Sequence, residues 1–221
     1  MQEDPVIARE TARMLLEVGA VHFRADPPFT LTSGRVSPVY IDCRRLLGFP
    51  RVRRALTDFA VTTLQQGAGY EVFDAVAGGE TAGIPFAALL ADRLGLPMSY
   101  IRKQAKGFGR NARIEGREVE GNRTLLVEDL ATDAGSKVSF IDGLREAGAT
   151  VEHAFVVFHY GIFPESTRAL SEKGVKLHAL ATWHDVLAEA ENQEALSPDT
   201  LEAVRGFLYD PHGWSRAQGG A

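Results

Sequence analysis

The sequence predicts an α/β fold organised around a parallel β-sheet. Three observations carry this expectation. From about residue 73 onward, apolar β-rich runs alternate with helical stretches, a pattern that implies parallel strands joined by right-handed crossovers. The runs Leu125-Leu126-Val127 and Phe155-Val156-Val157-Phe158 are continuously apolar, as strands covered on both faces must be. The length, 221 residues, suits one large domain with a single core. The expected organisation is one unit over 1–221, with a helix and short strands over about 1–68 and the α/β core over about 69–210.

The elements follow in order. Asp4-Pro5 opens a helix whose apolar face carries Ile7, Met14, Leu15 and Val18, and Gly19 ends it. Two short alternating runs, Phe29-Thr30-Leu31-Thr32 and Val39-Tyr40-Ile41-Asp42, flank the turn-rich link Ser33-Gly34-Arg35-Val36-Ser37-Pro38 and read as a hairpin-like pair. A helix over about 51–65 buries Val52, Leu56, Phe59, Ala60 and Leu64. Strands are expected at 73–77, 98–101, 124–128, 151–158 and 176–180, and helices between them at about 84–94, 136–147 and 165–172. Ser197-Pro198 signals a last helix, with Ser197 as N-cap. The tail over 211–221 reads as frayed.

Composition removes several function classes. Hydrophobic residues make up 45% and charged residues 24%, which excludes a disordered or fibrous chain. The net charge of −5 argues against a general nucleic-acid binder. One cysteine, Cys43, excludes an intrachain disulfide and a paired-cysteine zinc site; it reads as a small buried apolar residue. No stretch of 18 apolar residues and no secretory signal is visible, so the expectation is a cytoplasmic protein without a membrane partner. The six histidines form no metal-binding spacing, and His153 and His178 read as packing or edge residues. No Ser occupies a G-x-S-x-G elbow, which argues against acyl-transfer hydrolysis.

In open parallel sheets, ligands bind beyond the carboxyl ends of the strands, so the segments after the strands are where chemistry is expected. Gly78-Gly79-Glu80-Thr81-Ala82-Gly83 follows the first core strand. Its glycines suit either close backbone approach to an anion or tight strand-to-helix packing, and the two readings stand about even. Residues 102–117 follow the second strand and hold six basic side chains against one acidic one. They read as a mobile cationic loop suited to gripping and releasing a polyphosphate. After 124–127 comes Glu128-Asp129-Leu130-Ala131-Thr132-Asp133-Ala134-Gly135-Ser136, opening a helix. Two adjacent carboxylates at the end of a buried strand need hydroxyls, a cation or solvent. Small polar residues at a helix N-terminus form a phosphate cradle. An acid pair beside a phosphate cradle describes a ribose phosphate.

With its apolar strand, the segment Val127 to Ser136 resembles the phosphoribosyl diphosphate (PRPP) motif of the type I phosphoribosyltransferases. Three further segments are similar to the orotate branch of that family: Phe29 through Tyr40, Gly79-Glu80-Thr81-Ala82-Gly83-Ile84-Pro85, and Tyr100-Ile101-Arg102-Lys103-Gln104-Ala105-Lys106-Gly107. The resemblance implies a type I phosphoribosyltransferase core under a small N-terminal hood of helix and short strands. It implies a homodimeric enzyme with shared active sites that transfers phosphoribose from PRPP to orotate, with Mg2+ bound mainly through PRPP. Arg102, Lys103 and Lys106 would clasp the diphosphate, partly across subunits, with Asp129 joining them as a catalytic group. Glu128 and Asp129 would hold the ribose hydroxyls. The run Leu130, Ala131, Thr132, Asp133, Ala134, Gly135 and Ser136 would line the substrate, with Thr132 to Ser136 on the 5′-phosphate. Tyr40 and Ile41 would pack near the base. Thr32, Phe108 and Ala134 stand where many members carry Lys, His and Gly. His159-Tyr160-Gly161 stands where an Arg for the orotate carboxylate is expected. A transferase for another base, or a non-catalytic PRPP-sensing regulator of the same fold, are the alternatives.

Overall fold

The structure, a computed structural model, describes residues 4–31, 33–105, 113–132 and 135–221. Helix α1 (Pro5–Glu17) is capped as its sequence requires: Asp4 Oδ1 accepts from the amides of Val6 at 2.9 Å and Ile7 at 3.4 Å. Four short strands follow, β1 (Val21–Phe23), β2 (Phe29–Thr30), β3 (Val36–Ser37) and β4 (Val39–Ile41), then a 3₁₀ helix over Cys43–Gly48. The two apolar runs do not pair with each other. β2 pairs with β3 and β4 pairs with β1, so a second ladder forms that the hairpin reading did not contain. Pro38 explains the break: it lacks the amide a continuous ladder would need.

Helix α2 (Pro50–Gly67) leads into the main sheet. Its strands are β5 (Ala75–Gly79), β6 (Met98–Ile101), β7 (Ile114–Gly116), β8 (Thr124–Ala131), β9 (His153–His159) and β10 (Lys176–Thr182), interleaved with α3 (Gly83–Leu94), α4 (Gly135–Glu146) and α5 (Pro164–Glu172). The order is β10-β9-β8-β5-β6-β7, parallel throughout except for β7, which runs antiparallel to β6. The chain steps from β5 outward to β6 and then returns to place β8 on the other side of β5. The strand order therefore reverses between β5 and β8, where open sheets form their ligand crevice.

Several expected strand boundaries shift by one to three residues, and two of the shifts matter for the site. β5 continues through Gly78 and Gly79, which pair with Tyr100 and Ile101. β8 continues through the acid pair, with Glu128 opposite Val156 and Leu130 opposite Phe158. Gly78, Gly79 and Gly83 serve packing. A Cβ on Gly78 would sit 2.9 Å from Ala87, and one on Gly83 would collide with the Val127 carbonyl oxygen.

After β10, α6 (Trp183–Asn192) was not foreseen. It opens with a capping box in which Asp185 Oδ2 accepts from the Thr182 amide at 2.7 Å. Ser197 caps α7 (Pro198–Tyr209) as expected, accepting from the Thr200 amide at 3.3 Å. The tail is not frayed: α8 (Pro211–Ala217) docks on the N-terminal strands. Ser215 Oγ accepts from the Val36 amide at 2.9 Å and donates to the Ala221 carbonyl at 2.8 Å. One core cluster joins Leu15, Ile41, Cys43 and Leu56 to Val127, Phe158 and Trp183. The N-terminal elements are thereby held over the same face of the sheet as α2 and α3. Cys43 is fully buried, and burial pushes its thiol well above the usual range.

His153 Nδ1 and His178 Nε2 share a hydrogen bond at 2.9 Å across β9 and β10. Burial holds His178 down to about 4, reinforced by His153, and burial holds His159 down to about 4. The unfolded chain accepts these protons near pH 6.5, which the folded chain refuses until about 4. Their contribution is therefore complete above pH 6.5 and is lost as pH falls toward 4, by at most about 1.4 kcal/mol per pH unit for each group. Thermal melts between pH 7.5 and 4.5 are expected to show this fall, with a shallower slope for His178→Gln. An unchanged slope in that variant would contradict the assignment.

Candidate active site

At the β5–β8 switch point lies an open cleft of about 190 Å³. Three segments build it. The turn between β5 and α3 supplies Glu80, Thr81 and Ala82 and carries a cis peptide between Glu80 and Thr81. The end of β8 and the start of α4 supply Glu128, Asp129, Leu130, Thr132, Ser136 and Lys137. Lys103, just after β6, and Arg44, on the 3₁₀ helix, complete the walls. A larger groove of about 480 Å³ runs between α2 and α3, lined in part by Tyr70, Phe73 and Leu96. It lies at the opposite end of β5 and β6, and Asp58 and Arg93 on its walls already satisfy each other.

The two carboxylates of the acid pair differ in environment because successive strand residues face opposite sides of the sheet. Glu128 is buried. It accepts from Lys137 Nζ at 3.0 Å and from Ser136 Oγ at 3.3 Å. Lys137 is 3% exposed, and its ammonium also donates to the Leu130 carbonyl at 2.6 Å. The tight approach of Gly79 completes this arrangement: a side chain there would collide with Glu128 and stand 2.8 Å from Phe140. Asp129 is half-buried, and burial pushes its carboxyl above the ordinary range, with the Glu128 charge adding to the shift. Its position relative to Glu128 thus favours a ligand that donates hydrogen bonds to it.

Of the expected site residues, the cleft gathers Lys103, Glu128, Asp129, Leu130, Thr132 and Ser136. Lys103 is positioned through its backbone, whose amide donates to Glu80 Oε2 at 2.9 Å. Arg102 turns instead toward β7, where its Nη1 lies 3.8 Å from Glu115 Oε1. Ala131 is fully buried, and its carbonyl accepts from the Tyr160 amide at 2.9 Å. Gly135 and Ser136 form the exposed first turn of α4. Tyr40 is 41% exposed beside Phe29 and His22, while Ile41, on the opposite face of β4, is 3% exposed and belongs to the core. Lys106, Asp133 and Ala134, with Thr32 and Phe108, lie outside the described residues. Arg44 and Lys137 were not singled out from sequence. A lysine in the first turn of a helix, where the macrodipole disfavours it, was the available signal for Lys137.

Among the described residues, no three His, Cys, Asp or Glu side chains cluster to hold a metal ion. No helix of the described residues is long and apolar enough to cross a membrane.

Comparison with known proteins agrees with the fold. Residues 45–191 match the family model described as the phosphoribosyl transferase domain. An orotate phosphoribosyltransferase of Ruegeria sp. (strain TM1040) is 61% identical over 211 residues, covering 96% of this chain and 93% of that protein. Among solved structures, orotate phosphoribosyltransferase from Aeropyrum pernix superposes with a TM-score of 0.69 at 34% identity, covering 82% of this chain and 99% of that one. Leishmania donovani UMP synthase superposes with a TM-score of 0.77 at 30% identity over 90% of this chain and 41% of that one.

Proposed function

This chain belongs to the orotate phosphoribosyltransferase family, and from that membership we infer how its cleft works. It transfers the phosphoribosyl group of PRPP to orotate, giving orotidine 5′-phosphate and pyrophosphate in pyrimidine biosynthesis. The observation that supports this assignment of roles is that Lys103, Asp129, Thr132 and Ser136 line one cleft.

The reaction forms a bond from the orotate N1 to ribose C1 and breaks the bond from C1 to the diphosphate oxygen. Charge of oxocarbenium type develops at the ribose, as at other glycosidic centres. The demand is alignment and stabilisation of the leaving group more than a protein nucleophile. In our reading Asp129 accepts from the ribose hydroxyls and holds a negative charge near the developing cation. Thr132, Ser136 and the N-terminal amides of α4 take the 5′-phosphate, where the helix dipole favours an anion. Lys103 faces the diphosphate, and the cationic residues beyond it, Lys106 among them, add to the same charge. Glu128 has its ammonium partner within the fold already, so its part is to fix the wall beside Asp129 and Ser136.

Mg2+ fits the donor set as a partner of PRPP. It would take most of its oxygens from the diphosphate and ribose, with Asp129 as the carboxylate at hand, and would neutralise charge on the leaving group. We place the enzyme in the cytoplasm as a homodimer whose cationic segment serves a shared site. The exit of that segment from β6 at the cleft rim supports this reading, as does the family resemblance. The chain acts as one unit in which residues 1–68 form the hood, which the shared core supports.

A spectrophotometric assay of orotate loss with PRPP and Mg2+, run beside uracil, hypoxanthine and nicotinate, tests the function. Orotate is expected to be consumed and the other three left. Turnover of another base with none of orotate would contradict it.

A further inference from the structure

We propose that Arg44 holds the orotate carboxylate and thereby selects orotate over pyrimidines that lack it; this rests on the reading of the cleft as the phosphoribosyl-transfer site. Orotate carries its carboxylate on C6, the ring carbon next to N1, and N1 is the atom that bonds to ribose C1. The carboxylate is therefore carried to the edge of the ribose, beside whatever holds the ribose hydroxyls. A carboxylate taken from water into a cleft needs a hydrogen-bonding cation there.

Among the described residues, the cleft walls offer three cations: Arg44, Lys103 and Lys137. Lys137 is buried and committed to Glu128 Oε2 at 3.0 Å and the Leu130 carbonyl at 2.6 Å. Lys103 stands at the head of the basic segment on the β6 side, tied through its amide to Glu80. That is the side of the leaving diphosphate. Arg44 is exposed, and its guanidinium has no hydrogen bond or ion pair among the described residues. It approaches from the hood, on the 3₁₀ helix that contacts β8 and directly follows β4 with its exposed Tyr40. Its backbone is fixed by the Asp42 side chain, which accepts from the Arg44 amide at 3.1 Å. Asp129 lies near enough that the Arg44 charge opposes the upward shift of its carboxyl.

Other side chains are accounted for elsewhere. His159 is 3% exposed and held neutral, and Tyr160 is 3% exposed within an aromatic cluster. Arg35 stacks on Phe163 with its guanidinium carbon 4.2 Å from the ring centre, and Arg24 stacks likewise on Phe29. A planar, bidentate guanidinium with a free face beside the ribose-binding acid is the group a C6 carboxylate requires.

Steady-state kinetics of the wild type, Arg44→Gln and Arg44→Lys with orotate, uracil and PRPP test the proposal. Arg44→Gln is expected to lower kcat/KM for orotate by about thirtyfold or more, the scale for losing one partner of a desolvated charge pair. The loss is expected to fall on the KM for orotate, with the KM for PRPP within about twofold of wild type and uracil still left unconsumed. Arg44→Lys should recover part of the lost kcat/KM for orotate. A raised KM for PRPP with an unchanged KM for orotate would overturn the proposal and place Arg44 on the diphosphate. An unchanged kcat/KM for orotate in Arg44→Gln would also overturn it. Wild-type protein that fails to consume orotate would overturn the reading of the cleft, and the proposal with it.

Discussion

Lys137→Met is expected to destabilise the fold by about 3–5 kcal/mol, the cost of removing one partner of a buried ion pair. The side chains of Lys137 and Glu128 are 4% and 10% exposed, and their charged atoms stand 3.0 Å apart. Methionine matches the lysine stem in length and fills its channel, so little of the loss comes from packing. What remains is a largely buried carboxylate deprived of its cation, with Ser136 Oγ at 3.3 Å as its remaining side-chain donor among the described residues. The Leu130 carbonyl also loses its side-chain donor. The effect should largely disappear in the double variant Lys137→Met/Glu128→Gln, because a neutral amide in place of the carboxylate removes the uncompensated charge. Urea denaturation of the two single variants and the double variant measures this coupling. Additive losses, with the double variant the least stable of the three, would show that the pair is held by something other than charge.

Asp129→Asn is expected to lower turnover by about 10²–10³, the usual effect of removing one preorganised electrostatic group from an active site. The amide retains the size of the carboxylate and can still accept a hydrogen bond. It cannot place a negative charge beside the ribose as the bond to the diphosphate lengthens. The change should therefore fall mainly on kcat, with the orotate KM little affected, because no contact to the base is altered. A loss confined to the orotate KM would move Asp129 from the ribose to the base.

The sheet and its crevice were legible because they rest on two strong signals: continuous apolar runs for the buried strands, and small polar residues where those strands give way to helices. The acid pair and its phosphate-type loop were visible as a motif. The division of labour between the two acids was not. It depends on strand alternation carried three residues beyond the expected end of β8, which turns Glu128 toward Lys137 and leaves Asp129 facing the cleft. The glycines after β5 read equally well as ligand contacts or packing devices. Only the three-dimensional approach of Gly83 to Val127 and Gly79 to Glu128 decides for packing. β7 carried no periodic signal because it is three residues long and emerges from a basic, glycine-rich segment. The terminal helix was missed for a different reason. Pro211, Gly213 and the closing glycines are breakers locally, and the helix is held by Ser215 reaching β3, a contact between residues 179 positions apart. In sequence Arg44 is one basic residue among many, since its value comes from sharing the cleft with Asp129 across the hood–sheet boundary.

The central claim is that Asp129 belongs to the ligand and not to the architecture. Thermal stability of Asp129→Asn and wild type, each with and without PRPP and Mg2+, tests it most directly. Burial and the Glu128 charge both disfavour ionised Asp129 in the empty protein. The empty variant should consequently be at least as stable as wild type. Saturating ligand stabilises wild type according to its excess over Kd, about 2.7 kcal/mol at a hundredfold excess, and each tenfold loss of affinity removes about 1.4 kcal/mol of that gain. The account predicts a markedly smaller ligand-induced rise in Tm for the variant. A variant strongly destabilised when empty, yet stabilised by PRPP as fully as wild type, would contradict it.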